Sequence, residues 1–388
     1  MNYFRDLLLS LLVAMVALSS CRKEEEIIPS SRVRVGVPGR PGKIKGFFLL
    51  NEANMGSNKA TLDYYDYTTA FYTRNIYAER NPNVVKELGD VGNDLQIHGS
   101  RLYAVINVSG LIEVMDVRTA KHIGKLSIPN CRYIAFKDGF AYVSSYAGPV
   151  KIDPNARLGY VAKVDTATLK VVAECPVGYQ PEELLIHGDK LYVANSGGYR
   201  APNYDKTISI IDLKTFTEEK QVDVAINLHR LQLDNYGKIW ASSRGDYKGV
   251  PSRLFVFDPK SESVTKTLEV ACSNMALSGD SLFVYSSEWS YLTGKNTISY
   301  TVIDTKKQEV IDRNFIKDGT DKEIQLPYGL GINSEQGELY LTDAQDYVHP
   351  GQLHCYDLKT GRRKWSVKTG DIPAHIAFTT QPLHPLHH

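Results

Sequence analysis

Cysteine is scarce in this chain, with five among 388 residues, and no two have the spacing of a metal or redox pair. Cys131, Cys175, Cys272 and Cys355 lie in or beside apolar runs and read as small buried hydrophobes, not as a disulfide framework. An excess of charge is also missing. Forty-five basic residues face 44 acidic ones, a formal net charge of +1, so the basic stripe of a nucleic-acid binder is not present and no nucleic-acid partner is expected. Beyond the N-terminus no stretch of ten residues has helical periodicity, which disfavours a parallel α/β fold. The HExxH zinc motif and the serine nucleophile elbow are absent as well, so two familiar sequence warrants for a hydrolase are gone.

What the chain does have is repetition. Seven times an apolar strand ends at an Asp: Asp66, Asp116, Asp165, Asp212, Asp258, Asp304 and Asp357. A Thr or Ser usually follows three positions later. The intervals are 50, 49, 47, 46, 46 and 53 residues by subtraction, the length of one four-stranded propeller blade. An Asp carboxylate accepts a backbone N–H two residues on and closes a tight turn. Seven copies of one residue read as scaffold, not as catalysis.

Two further columns repeat in step. Ahead of each Asp lies a strand such as 102–105, 142–144, 191–194, 282–285 or 339–341, rich in aromatic and β-branched residues. Ahead of that lies a shorter apolar run, 95–97, 134–136, 184–186, 231–233, 275–277 or 330–332, assigned to the inner strand. One inner strand is missing before Phe47, and one is left over at 376–378. The C-terminal strand is therefore expected to complete the first blade and abolish a sheet edge. The expected fold is an all-β, seven-bladed β-propeller closed by strands from both termini.

Residues 1–20 carry an early Arg5, an apolar core over 7–18 and small residues before Cys21, the layout of a secretory signal. Leu18-Ser19-Ser20-Cys21 resembles the bacterial lipobox, which implies cleavage before Cys21, lipidation of Cys21 and a membrane anchor. Arg22-Lys23-Glu24-Glu25-Glu26 resembles an export signal of surface lipoproteins. Residues 21–45, rich in Pro, Gly and Ser, read as a lipidated Cys and flexible tether. The propeller spans 46–380, and 381–388 are a tail.

The turns between first and second strands, and the Asp turns, are short and share one face. Long loops, 146–159, 197–206, 244–252, 288–296 and 345–351, leave the opposite face, together with the connections between blades. Binding residues on a rigid scaffold concentrate in such loops. These carry Tyr146, Tyr199, Arg244, Tyr247, Glu288, Trp289, Tyr291 and Tyr347, whose aromatics suit recognition. Sevenfold geometry converges a second ring on the channel mouth. Asp94, Arg132, Glu182, Arg230, Asn274 and Tyr328 precede inner strands, and Glu52, Asn107, Asn195 and Asp343 follow second strands. Ligand-binding candidates are thus Glu52, Asp94, Asn107, Arg132, Tyr146, Glu182, Asn195, Tyr199, Arg230, Arg244, Asn274, Glu288, Trp289, Tyr328, Asp343 and Tyr347.

The phrase Gly178-Tyr179-Gln180-Pro181-Glu182-Glu183-Leu184, followed by Gly188-Asp189-Lys190-Leu191-Tyr192-Val193-Ala194-Asn195, resembles the YncE-like, YVTN-type bacterial propellers over roughly residues 46–380. With the lipobox and the acidic run, the chain is similar to surface propeller lipoproteins of Bacteroidetes, one group of which captures cobalamin for a TonB-dependent outer-membrane transporter. The resemblance implies a non-enzymatic nutrient binder at the cell surface, with cobalamin as its ligand and such a transporter as its partner. Two alternatives stand beside it. One is a calcium-dependent lactonase-like hydrolase, with Glu52, Asn195, Asn274 and Asp343 offering hard oxygen ligands. The other is a protein-binding scaffold of a surface complex.

Overall fold

The computed structural model describes residues 29–84 and 87–385. The signal, Cys21 and the acidic run after it lie outside the described residues. From Gly46 onward the chain forms seven antiparallel sheets around a central axis. Blade 1 takes three strands from the front, Gly46–Asn51, Thr61–Asp66 and Phe71–Arg74, and its innermost strand, Pro373–Thr379, from the back. The pairing runs Gly46 with Thr379, Phe48 with Ala377 and Leu50 with His375. Blades 2 to 7 follow in order over 92–127, 131–176, 181–223, 228–268, 274–312 and 327–371.

The period of two along a strand builds the core between blades. In Gly46–Asn51, Phe48 and Leu50 point one way and pack with Leu95, Leu102 and Ala104 of blade 2. Phe47 and Leu49 point the other way and pack with Tyr340, Leu353 and Cys355 of blade 7. All four side chains are fully buried. Every second strand repeats this division, so each blade is cemented to both neighbours by one strand. Cys131, Cys175, Cys272 and Cys355 are all free and buried.

The Asp turns close as their chemistry dictates. Asp66, Asp116, Asp165, Asp212 and Asp258 each accept the backbone N–H two residues on, at 2.7–3.0 Å. Asp304 and Asp357 take the N–H three residues on instead. The hydroxyls of Thr69, Thr119, Thr168, Thr215 and Thr360 add a second bond. The tail docks on this face. Arg118 Nε donates to Gln381, Gln381 Nε2 donates to the Gly99 carbonyl, and Arg80 donates to the His384 carbonyl.

Three features differ from the sequence reading. Ser31–Arg34, expected as flexible tether, is a fifth strand of blade 1, paired on Phe71–Arg74. The chain after it is tied down by Glu335 and Gln336, which accept the amides of Lys43, Ile44 and Arg40. Second, residues 288–296 are not a loop, because Ser281–Ser290 and Lys295–Asp304 continue as a hairpin that lifts Trp289 above the blade opposite Asn296. Third, a long loop at 52–60 was not anticipated, and the link from blade 1 to blade 2 carries a short helix, Ile76–Arg80, that packs Ile76 and Tyr77 into the core.

Candidate functional site

Six of the seven blades share a device at the channel mouth. On the loop face the inner strand carries one residue more than its partner: the register slips between Pro181 and Leu184, Leu228 and Leu231, and Pro327 and Leu330. Equivalent slips occur in blades 1, 2 and 3. Such a bulge bends the strand and re-aims its side chains. Here it turns Asn93, Arg132, Tyr133, His229, Arg230, Tyr328 and His375 toward the axis. In blades 3, 5 and 7 a hydroxyl on the second strand repairs the broken ladder. Ser144, Ser242 and Thr342 accept the amides of Tyr133, Arg230 and Gly329. Ser144 and Thr342 also donate to the carbonyls of Glu182 and Pro373 in the next blade.

The result is a cavity of about 500 Å³ at the centre of the loop face. Glu52, Asn107, Arg132, Tyr199, Arg230, Arg244, Asn274, Glu288, Trp289, Tyr328 and Tyr347 line it, as do Asn93, Tyr133, His229, Tyr247, Ser273, Tyr285 and His375. Five sequence candidates do not line it. Asp94 accepts the amides of Leu95 and Ile134 inside the wall. Asn195 donates to Thr207 and Ser209 within its own blade. Asp343 accepts the amides of Gln325, Leu326 and Gln345. Tyr146 and Glu182 are buried behind the lining, bonded to one another. Each is held inside the wall by these contacts, and only the Oδ1 of Asn195 is left without a partner, buried away from the cavity lining. For Asp94 the bulge decides the outcome: it turns Asn93 inward in its place. The set Glu52, Asn195, Asn274 and Asp343 is accordingly not assembled around one point. Among the described residues no group of three or more His, Cys, Asp or Glu is placed to hold a metal ion.

Charge is distributed unevenly around the ring. Glu182 is fully buried and carries two arginines: Arg132 donates Nε and Nη2 to one oxygen at 3.1 and 3.0 Å, and Arg244 donates to the other at 3.1 Å. Burial alone would raise the Glu182 carboxyl, but the two guanidinium groups outweigh it and hold it below the usual carboxylate range. Arg230 Nε lies 3.1 Å from Glu183. Burial and the three nearby arginines keep the His229 imidazole well below its ordinary pKa, so the ring is neutral. On the opposite wall Glu52 accepts from Tyr328 at 2.7 Å and pairs with His375 at 2.8 Å. Burial raises the Glu288 carboxyl between these walls.

Aromatics frame the mouth. Trp289, Tyr291 and Tyr247 form a chain of edge contacts with centroids 6.4 and 6.2 Å apart, and Tyr328 meets Tyr347 at 5.9 Å. Tyr247 and Tyr347 hold φ of 62° and 65°, a region that bulky residues occupy only where surrounding contacts impose it and that clusters at functional loops. Met55, Ile152, Val250, Tyr291, Leu292 and Val348 stand exposed around the same rim. Among the described residues the tight turns of the other face carry a single large exposed hydrophobe, Tyr236.

Some lining residues escaped the sequence reading because they look like core. Cys272, Tyr285, Val91 and Ala374 sit in apolar runs and reach the cavity only because the channel passes them. The Ser/Thr at positions 144, 242 and 342 were the available signal. A hydroxyl near the end of an otherwise apolar buried strand marks the blade end where the inner strand bulges.

Seven closed blades define a β-propeller with a polar, aromatic-rimmed funnel on its long-loop face. The chain belongs to the family described as a domain of unknown function, DUF5074, which matches residues 45–379. Among solved structures it is similar to the Kuenenia stuttgartiensis hydrazine synthase, at 18% identity and a TM-score of 0.53 over 69% of this chain and 77% of that one. It is also similar to the computationally designed Ika8 protein, at 11% identity and a TM-score of 0.49 over 73% and 89%. At 18% identity the likeness to the hydrazine synthase is one of fold. No protein of curated function matches the sequence.

Proposed function

We propose that this propeller is a binding protein, not an enzyme: the funnel takes a small molecule and the rim docks on a second protein. The observation that carries this reading is the convergence of charged, amide and aromatic groups from all seven blades on one cavity of about 500 Å³, within the 300–1,000 Å³ range typical of small-molecule sites. The one-sided apolar rim supports the protein partner, since clustered exposed hydrophobes mark interaction surfaces. In the finer form of the proposal the chain is a surface lipoprotein anchored through Cys21, its ligand is a corrinoid and its partner is a TonB-dependent outer-membrane transporter. The sequence likeness around 178–195 and the lipobox support that form. A broad macrocycle with peripheral amides would lie across the mouth against Trp289, Tyr247 and Tyr347.

Calorimetric titration with cyanocobalamin tests the ligand. Binding at micromolar concentration or tighter is expected. Trp289→Ala should weaken it at least ~10-fold, about 1.4 kcal/mol. Trp289 is 42% exposed on the hairpin, so the thermal midpoint should be unchanged. No heat at micromolar concentration ends the corrinoid reading, and an equal loss of thermal stability makes Trp289 structural. Capture of a transporter from solubilised outer membranes, lost on replacing Leu292 and Val348 by Asp, tests the partner.

A further inference from the structure

Three arginines stand on one side of the funnel, Arg132 of blade 3 and Arg230 and Arg244 of blade 5, and two of them share one buried carboxylate. Arg132 and Arg244 share the single carboxylate of Glu182, and Arg230 is paired with Glu183, with Asp94 acting on it from inside the wall. Arg132, Arg230 and Arg244 retain 12%, 18% and 25% side-chain exposure, all of them lining the cavity. Each guanidinium has five N–H groups in a planar fork, more than these carboxylates engage.

His229 adds a donor to the same wall. Tyr133 Oη lies 2.8 Å from His229 Nε2, and Arg230 Nη1 approaches the same phenol oxygen at 3.5 Å. Arginine only donates, so the phenol accepts from Arg230, and in one of the two tautomers of His229 it also donates its own proton to Nε2. In that tautomer the neutral imidazole carries its hydrogen on Nδ1. That atom is buried and has no hydrogen-bond partner, an arrangement that costs stability unless something arrives to accept the bond. On the far wall the carboxylate of Glu52 is already engaged by His375 and Tyr328.

We propose that the funnel recognises an acidic group, a carboxylate or a phosphate, seated against Arg132, Arg230, Arg244 and the Nδ1–H of His229, while the apolar part of the same ligand rests on Trp289. This deepens the binding reading above and rests on it. The planar forks match the oxygens of such anions better than any amide would, and burial strengthens the attraction.

Inorganic phosphate and malonate are the probes, titrated calorimetrically into the full chain against chloride at matched ionic strength. The expected result is saturable binding of one or both. Phosphate preference assigns a phosphorylated ligand, and malonate preference a carboxylated one. Arg230→Gln should weaken this binding at least ~10-fold, about 1.4 kcal/mol, while Tyr236→Ala, at an exposed tight turn of the other face, leaves it unchanged. Shifts of arginine ¹⁵Nε resonances on adding phosphate to the unsubstituted protein provide the same test should Arg230→Gln fail to fold. If neither anion binds more tightly than chloride, the proposal is overturned. Cyanocobalamin binding without anion binding would overturn this inference alone, and anion binding without cyanocobalamin binding would overturn the corrinoid reading alone.

Discussion

A chain ending at Asp371 is expected to lose cooperative unfolding and to aggregate. The removed strand, Pro373–Thr379, is the inner strand of blade 1 and pairs along the whole of Gly46–Asn51. Without it Phe47, Phe48, Leu49 and Leu50, all fully buried, lose cover on both faces, and a hydrophobic edge opens toward the channel. Burying one large apolar side chain stabilises by about 1.5–3 kcal/mol, so uncovering several removes much of the roughly 5–15 kcal/mol by which a domain is stable. A control ending at Thr379 should unfold cooperatively, because the tail beyond it adds one partly buried side chain, Leu383, and a few hydrogen bonds at the surface. Solubility and near-UV circular dichroism of the two chains decide the matter. A cooperative transition in the shorter chain would show that the ring does not depend on the C-terminal strand.

Glu182→Ala is expected to destabilise by about 3–5 kcal/mol, the cost of breaking a buried ion pair by removing one partner. It leaves Arg132 and Arg244 facing each other without the carboxylate that both engage. Chemical denaturation measures it, and a loss under about 1 kcal/mol, the scale of a surface pair, would show that water screens the site. The pH dependence has a definite sign. The folded-state carboxyl is held below its ordinary value of 4.5, so the unfolded chain binds the proton first. Its contribution is complete above the unfolded value and disappears as pH falls through the lower folded value. The acid limb below about pH 4.5 should therefore flatten in Glu182→Gln relative to the unsubstituted protein.

The fold was legible because its determinants are local and repeated. Each Asp turn is fixed by a carboxylate two or three residues from its partner amide, and the strands before it by a period of two. Closure followed from counting one inner strand too few at the front and one too many at the end. Ser31–Arg34 was not legible, since Ser-Arg-Val-Arg has no buried face and is held by a strand forty residues away. The site was half legible. Sevenfold convergence located the ring positions, but composition does not say which of two adjacent residues a bulge turns inward: Asn93 lines the cavity and Asp94 does not. Glu182 looked like a ligand contact because it is charged and stands at a ring position; two arginines from other blades make it the keystone behind the wall.

The three tryptophans provide the most direct test of where function resides. Trp289 stands at the funnel rim, Trp240 near the opposite face, and Trp365 at the periphery against Tyr65 and Tyr340. With 5-fluorotryptophan incorporated, ¹⁹F spectra give one resonance for each. Saturation with cyanocobalamin is expected to shift the Trp289 resonance and leave those of Trp240 and Trp365 in place. A shift confined to Trp240 or Trp365, or no shift at any of the three, would contradict a binding site on the long-loop face.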